Sequence, residues 1–195
     1  MQAVNSAINI YMKIPFAFFL FLIPITAFPQ VYLATGGECS FHSSTPVEDI
    51  DAVSESLNSV LNLANNEIQF KVALTTFRFE KALMREHFNE KYVESDKYPH
   101  AFYKGVINEK IDVSRDTVID ITSEGTFSVH GVEKAYKEKG KLTIKNGGIT
   151  IEADFKVALK DHNIAIPKIV MANISEVIDV HFTCSYQPYK KKQSK

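Results

Sequence analysis

Along most of the chain, apolar and polar residues alternate with a period of two, the pattern of strands with one covered face. From Gly36 to Ser43, Cys39 and Phe41 alternate with Glu38, Ser40 and His42. Thr45-Pro46 breaks that run, and a longer extended stretch begins at Glu48-Asp49 and continues through Leu57, Leu61 and Leu63. Asn65-Asn66 predicts a turn, because Asn tolerates the left-handed conformation a tight hairpin requires. Ile68, Phe70, Val72 and Leu74 then alternate with Gln69, Lys71 and Thr75. After Pro99 the run AFYKGVI is extended again, and Asp116 to Val129 predicts one or two strands bent near Gly125. Leu142 and Ile144 oppose Lys141, Thr143 and Lys145, and Asn146-Gly147-Gly148 is the strongest hairpin signal in the chain. Ile149, Ile151, Phe155, Val157 and Leu159 face one way on the next strand. On the last one, Ile178, Val180, Phe182, Cys184 and Tyr186 oppose Asp179, His181, Thr183 and Ser185.

One stretch departs from this rhythm. Between Phe77 and Gly105, Leu83, Met84, His87, Phe88 and Tyr92 recur at one-, four- and five-residue steps. That spacing predicts a short amphipathic helix with these residues on one face and Lys81, Arg85, Glu86 and Glu90 on the other. A single such helix among strands reads as a plug or lid. Seven or eight antiparallel strands, each with one apolar face, suit a sandwich or a closed barrel.

The 195 residues include fourteen Phe and eight Tyr, and an apolar fraction of 45% suffices for a substantial core in one domain. A net charge of −1 without a basic stripe gives nucleic-acid binding no electrostatic footprint. Lys13 followed by IPFAFFLFLIPITAF reads as a secretory signal, too short and too Pro-broken for a bilayer span. An uncleaved anchor is the alternative. The predicted organisation is a signal peptide over residues 1–30, with Met12 as its natural start and 1–11 as upstream extension, then a barrel over 31–189 and a polar tail over 190–195. Export places the chain in the periplasm or outside the cell. Cys39 is not a lipoprotein cysteine, because Glu38 precedes it where a small residue is needed.

Six histidines raise the question of metal or acid–base chemistry, but no HExxH, CxxC or GxSxG motif and no cofactor fingerprint occurs. His87 and His130 read as hydrogen-bonded packing residues. His42 and His181 lie on the polar faces of the first and last strands. Glu48, Asp49 and Asp51, like Glu94 and Asp96, read as solvated loop charge. The sequence predicts no enzyme, no metal and no cofactor.

The stretches HFNEKYVESDKYPHAFYKG (87–105), GTFSVHGVEKAYKEKGKLTIKNGGITIEADFKVAL (125–159), IAIPKIV (164–170) and FHSSTPVEDIDA (41–52) resemble, in order, the YceI-like family. The family's longer early segment is replaced here by TPVEDIDA. Asp161-His162-Asn163 stands where the family has Asp, an aromatic and Gly, so Asn163 is expected to supply the left-handed residue. The resemblance implies a mainly β, eight-stranded antiparallel lipocalin-like β-barrel, exported, that binds polyisoprenoids or other long amphiphiles.

On that fold, the expected ligand-lining residues are Phe41, Phe70 and Val72 from the early strands, and Phe79, Leu83, Met84 and Phe88 from the helix region. Tyr98 and Phe102 follow on the return strand, with Phe127, Val129, Leu142 and Ile144 after them. Ile151, Phe155, Val157, Val180 and Phe182 complete the set. Burying one methylene contributes about 0.8 kcal/mol, so a chain of roughly ten carbons supplies most of a micromolar affinity. The polar end is expected near Ser95, Asp96, Tyr98 and Tyr103. The partner is then a long-chain apolar or amphiphilic small molecule, and a homodimer is compatible with the sequence. The alternative is that these residues fill the barrel as core, and the protein works through its outer surface as a partner-binding or stress protein.

Cys39 and Cys184 fall on the inward faces of strands that become neighbours if the barrel closes. A disulfide there would close a loop of about 145 residues, contributing roughly 3–5 kcal/mol. Free thiols packed as small apolar groups are the alternative.

Overall fold

In a computed structural model, residues 30–189 are described. The predicted signal segment, apart from Gln30, and the tail over 190–195 lie outside the described residues. Among the described residues there are nine strands: β1 (Val31–Ser44), β2 (Asp49–Asn62), β3 (Glu67–Ala73), β4 (Arg78–Phe79), β5 (His100–Ile107), β6 (Thr117–Val129), β7 (Val132–Lys145), β8 (Gly148–Ala158) and β9 (Val177–Pro188). Eight of them close into an antiparallel lipocalin-like barrel in the order β1-β2-β3-β5-β6-β7-β8-β9, with β9 pairing back onto β1. Two-residue β4 adds to the first half of β2, opposite Ala52 and Val53. Among the described residues no helix is long and apolar enough to cross a membrane.

The hairpins follow their turn chemistry. Asn146 and Gly147 both have positive φ, as a two-residue turn between right-twisted strands requires. His130 and Gly131 form a second such turn between β6 and β7, which their sequence does not advertise as strongly. Asn163 is left-handed and ends a 3₁₀ turn over Leu159–His162, as expected from its place in the family pattern.

The barrel's two ends differ. At the closed end, Tyr32, Leu61, Leu142, Ile144, Ile149 and Tyr186 are at most 2% exposed and pack without a gap. Tyr186 is satisfied there, because its hydroxyl donates to Ser59 Oγ at 2.6 Å while Ser59 donates to the Gln69 carbonyl at 2.7 Å. Burial holds its phenol well above the usual tyrosine range. Tyr186→Phe leaves Ser59 its carbonyl partner, so a loss of about 0.5–1.5 kcal/mol in urea unfolding is expected.

The other end carries the predicted helix, α1 (Ala82–His87), which runs directly into a π-helical turn over Phe88–Tyr92. Val93 N–H reaches the Phe88 carbonyl five residues back at 2.9 Å. The wider turn matches the five-residue step from His87 to Tyr92 and keeps Tyr92 on the inward side. Glu48 ties this end together, accepting from Lys81 Nζ at 2.8 Å and from Asn173 at 3.2 Å. Those two bonds hold the Glu48 carboxyl below the usual carboxylate range.

Candidate functional site

Between the packed end and the helix lies a cavity of about 560 Å³, within the size range of small-molecule pockets. Its floor is Leu57, Ile68, Ile107, Ile121 and Ile151, all nearly inaccessible. Its walls are aromatic: Phe70 and Phe182 stand 4.3 Å apart, Phe127 and Phe155 5.8 Å, and Phe155 and Phe182 6.4 Å, centroid to centroid. These rings point inward yet are only half-buried, because they face the void. Its roof is the cluster of Phe41, Phe77, Phe79 and Phe88, with ring separations from 5.1 to 5.7 Å. Leu83, Met84, His87 and Tyr92 join the lining from the helix side, and Ile164, Val170 and Ile174 from the loop before β9.

Most of the expected lining residues meet at this cavity. Phe41, Phe70, Val72, Phe79, Leu83, Met84, Phe88, Phe127, Val129, Ile151, Phe155, Val157, Val180 and Phe182 all border it. Four depart. Leu142 and Ile144 point inward but lie below the floor in the closed end, so they are core and not lining. Phe102 borders the cavity but is 36% exposed, while Ala101 and Ile107 are buried. Its side chain takes the outer phase of β5, because Gly105 must face Gly125, where added Cβ atoms would collide. Tyr98 does not border the cavity. It lies against Gly131 and edge-on to His130 at 5.1 Å, bracing the β6–β7 hairpin.

The polar groups differ more from expectation. Ser95 is buried away from the cavity and Asp96 is exposed, whereas Tyr103 is inside, its hydroxyl 2.6 Å from Ser123 Oγ. Burial raises the Tyr103 phenol above the ordinary range. Tyr136 and Glu138 also line the cavity. Stepping back by two from inward Leu142 passes through Gly140, Glu138 and Tyr136, a signal that the lysines of KAYKEKGK hide. Burial pushes the Glu138 carboxyl above the usual carboxylate range.

Beside Tyr136, His162 is fully buried. Its Nδ1 donates to the Val132 carbonyl at 3.0 Å, which leaves Nε2 to accept from the Tyr136 hydroxyl at 3.1 Å. Burial lowers its pKa, so the ring is neutral. It stacks on Tyr136 at 6.0 Å and meets Phe127 edge-on at 5.3 Å, so His162 serves as the aromatic of the Asp-aromatic-Gly pattern.

Cys39 and Cys184 are both buried and both free. The register sets Cys39 opposite Phe182, which places Cys184 opposite Gly37, two residues out of step with Cys39. A Cβ on Gly37 would stand 2.6 Å from Cys184 Sγ, so the glycine makes room for that thiol. Burial pushes both thiols up to about 12, which makes them inert packing groups at neutral pH. On the outer face, His42 bonds Asp51 at 2.7 Å and His181 bonds Asp154 at 2.8 Å. Among the described residues no three His, Cys, Asp or Glu side chains form a metal-ligand set.

In sequence, residues 36–186 match the model of the YceI-like domain. No curated protein matches the chain. Among solved structures, it is similar to a polyisoprenoid binding domain from Saccharophagus degradans implicated in plant cell wall breakdown. That likeness has 15% identity over 83% of this chain and 99% of the other, with a TM-score of 0.68. It is also similar to BcnA of Burkholderia cenocepacia, at 10% identity over 76% of this chain and 95% of that one, with a TM-score of 0.64. At such identities the likeness is one of fold.

Proposed function

The chain belongs to the YceI-like family, and from that membership together with the cavity we propose that it is an exported lipid-binding protein. It sequesters or carries a long amphiphile in the barrel lumen: an isoprenoid, an isoprenoid quinone or a fatty-acid derivative. The observation that carries this reading is the Phe-lined cavity of about 560 Å³ inside the barrel. Were the barrel packed throughout, as at its closed end, inward Phe155 and Phe182 would be fully buried. They are not. The polyisoprenoid-binding domain of like fold supports the isoprenoid end of that range. Export to the periplasm or beyond rests on the apolar segment over residues 14–28 behind Lys13. Binding, without catalysis, is the whole activity in this reading.

The test is to produce the chain with its leader in a bacterial host, purify it, extract it with organic solvent and identify the extract by mass spectrometry. A long-chain amphiphile near one per chain is expected. An empty extract, together with a stripped protein that takes up no diphenylhexatriene, overturns the proposal.

The roof makes a kinetic prediction. Phe88 holds Phe41, Phe77 and Phe79 together, and aromatic pairs contribute about 0.5–1.5 kcal/mol each. Phe88→Ala is expected to speed release of bound diphenylhexatriene at least fivefold in stopped-flow dilution, with circular dichroism unchanged. An unchanged release rate removes the helix from the role of lid.

A further inference from the structure

We propose that the lumen selects amphiphiles whose head donates a hydrogen bond and carries no negative charge, and that Glu138 receives this head at the bottom of the cavity. The proposal rests on the lipid-binding reading and names the ligand class within it.

Glu138 lies on the lumen side of β7, between inward Tyr136 and Gly140. Its cross-strand partner is Ser123, and the next pair down joins Gly140 to floor residue Ile121. The carboxylate therefore sits one residue pair above the floor, deep beneath the aromatic roof. On two sides the wall is reduced to glycine: Gly125 and Gly140 flank it on β6 and β7, and a Cβ on either would collide with neighbouring backbone. Among the described residues no hydrogen bond or ion pair engages this carboxylate. Lys137, next to it in sequence, points outward and pairs with Glu124 at 2.8 Å.

The groups facing Glu138 are the Tyr103 and Tyr136 phenols and the Ser123 hydroxyl, none of them a cation. Tyr103 is bonded to Ser123 and Tyr136 to His162, which is itself neutral. Asp161, beyond Tyr136, adds negative charge only. Ala153, Phe155 and Phe182 continue the wall, and Lys139, itself exposed, borders the cavity beside Glu138.

Glu138 is half-buried and turned to the lumen, and a carboxylate drawn partly out of water without a protein partner is costly unless another donor reaches it. The cavity is the side from which a ligand donor can reach it. An alcohol or amine entering head first satisfies the carboxylate and lays its tail up the Phe70–Phe127–Phe155–Phe182 wall toward Phe41 and Phe88. A phosphate or carboxylate head meets like charge in a medium where the repulsion is poorly screened.

The experiment uses delipidated full barrel loaded with diphenylhexatriene at pH 8, displaced by oleyl alcohol, by its methyl ether and by oleate. These three share one tail and differ only in the head. The alcohol is expected to displace the probe at a concentration at least tenfold below either of the others, since hydrogen bonds to charged groups contribute about 1.5–3 kcal/mol. Glu138→Leu should bring alcohol and ether level. Glu138→Gln keeps an acceptor but removes the charge, so oleate should gain about tenfold while the alcohol keeps only part of its advantage over the ether. Glu138→Gln should also melt above the wild type at pH 8. A carboxyl raised in the folded state binds more protons folded than unfolded, so stability falls as pH rises above the ordinary Glu value. The variant's advantage should vanish below about pH 4.

Equal displacement by alcohol, ether and oleate overturns the head-group assignment and leaves the lipid-binding proposal standing. Failure of the protein to take up the probe or any of the three overturns both. If Glu138→Leu does not fold, the Glu138→Gln comparison decides alone, and unchanged discrimination against oleate in that variant refutes the role of Glu138.

Discussion

Phe182→Asp is expected to abolish uptake of apolar ligands, with affinity for diphenylhexatriene falling at least 100-fold. Phe182 sits at mid-height in the wall, 4.3 Å from Phe70 and 6.4 Å from Phe155, between Cys39 on one neighbouring strand and Ala153 on the other. Aspartate there removes an aromatic face and puts a carboxylate into a lumen already holding Glu138. The new charge has only aromatic rings, Cys39 and Ala153 as its nearest neighbours, while Lys81 at the rim is already paired with Glu48. A polar group buried without compensation costs about 1–3 kcal/mol even in forgiving protein sites, and an ion more. Each 1.4 kcal/mol removed from binding is a tenfold loss, so two to three such steps are within reach of this one substitution. Phe182→Leu, which keeps the surface apolar, is expected to lose less than tenfold. Fluorescence titration of both variants, alongside far-ultraviolet circular dichroism to verify the barrel, gives the comparison. Binding by a folded Phe182→Asp protein at wild-type strength would show that ligands do not enter the lumen.

The contrast between wall and core also marks the limit of what the chain discloses. Period-two alternation assigns each residue to the inner or outer face, and it does so correctly for β3, β7, β8 and β9. It says nothing about height along the barrel axis, which is set by strand tilt and by the register of neighbouring strands. Leu142 and Phe155 are both inward, but one lies beneath the floor and the other beside the void. Where two phases compete the pattern misleads: in AFYKGVI the bulk of Phe102 suggests it should point inward, yet the Gly105–Gly125 contact fixes Ala101, Tyr103 and Ile107 there. Glu138 is hidden for a related reason. Its neighbours Lys137, Lys139 and Lys141 make a solvent-like run, and only counting back from Leu142 reveals its face. The helix is legible from its apolar spacing, but the π-helical turn that carries Tyr92 inward accompanies the packing of Phe88 into the aromatic roof. Tyr98 is expected near the ligand's polar end because the return strand begins there. That inference fixes where the chain re-enters, not where a ring two bonds removed from the turn will settle, and the space over Gly131 settles it.

The closed end should behave oppositely to the lumen wall. Leu142→Ala is expected to lower stability by about 2–5 kcal/mol, the cost of a cavity in a core that cannot collapse around it. Leu142 is 0% exposed, with Ile119 across on β6 and Ile151 across on β8, and Ile144 follows it on the same face. The strands on both sides are held by their ladders, so the void persists. Phe155→Ala removes more atoms, but Phe155 already borders empty space and loses contacts on one side only. Its cost is therefore expected to fall below the usual 3–5 kcal/mol for a buried phenylalanine. For a domain of this size each kcal/mol moves the midpoint by roughly 2–4 °C, which puts Leu142→Ala about 4–20 °C below the wild type. Ligand affinity should show the reverse order. Leu142 does not border the cavity, so Leu142→Ala, measured well below its midpoint, is expected to bind diphenylhexatriene within threefold of wild type, while Phe155→Ala departs from it by more. Calorimetry and fluorescence titration on the same two variants check both halves. If Leu142→Ala costs less stability than Phe155→Ala, the closed end is not the barrel's stabilising core.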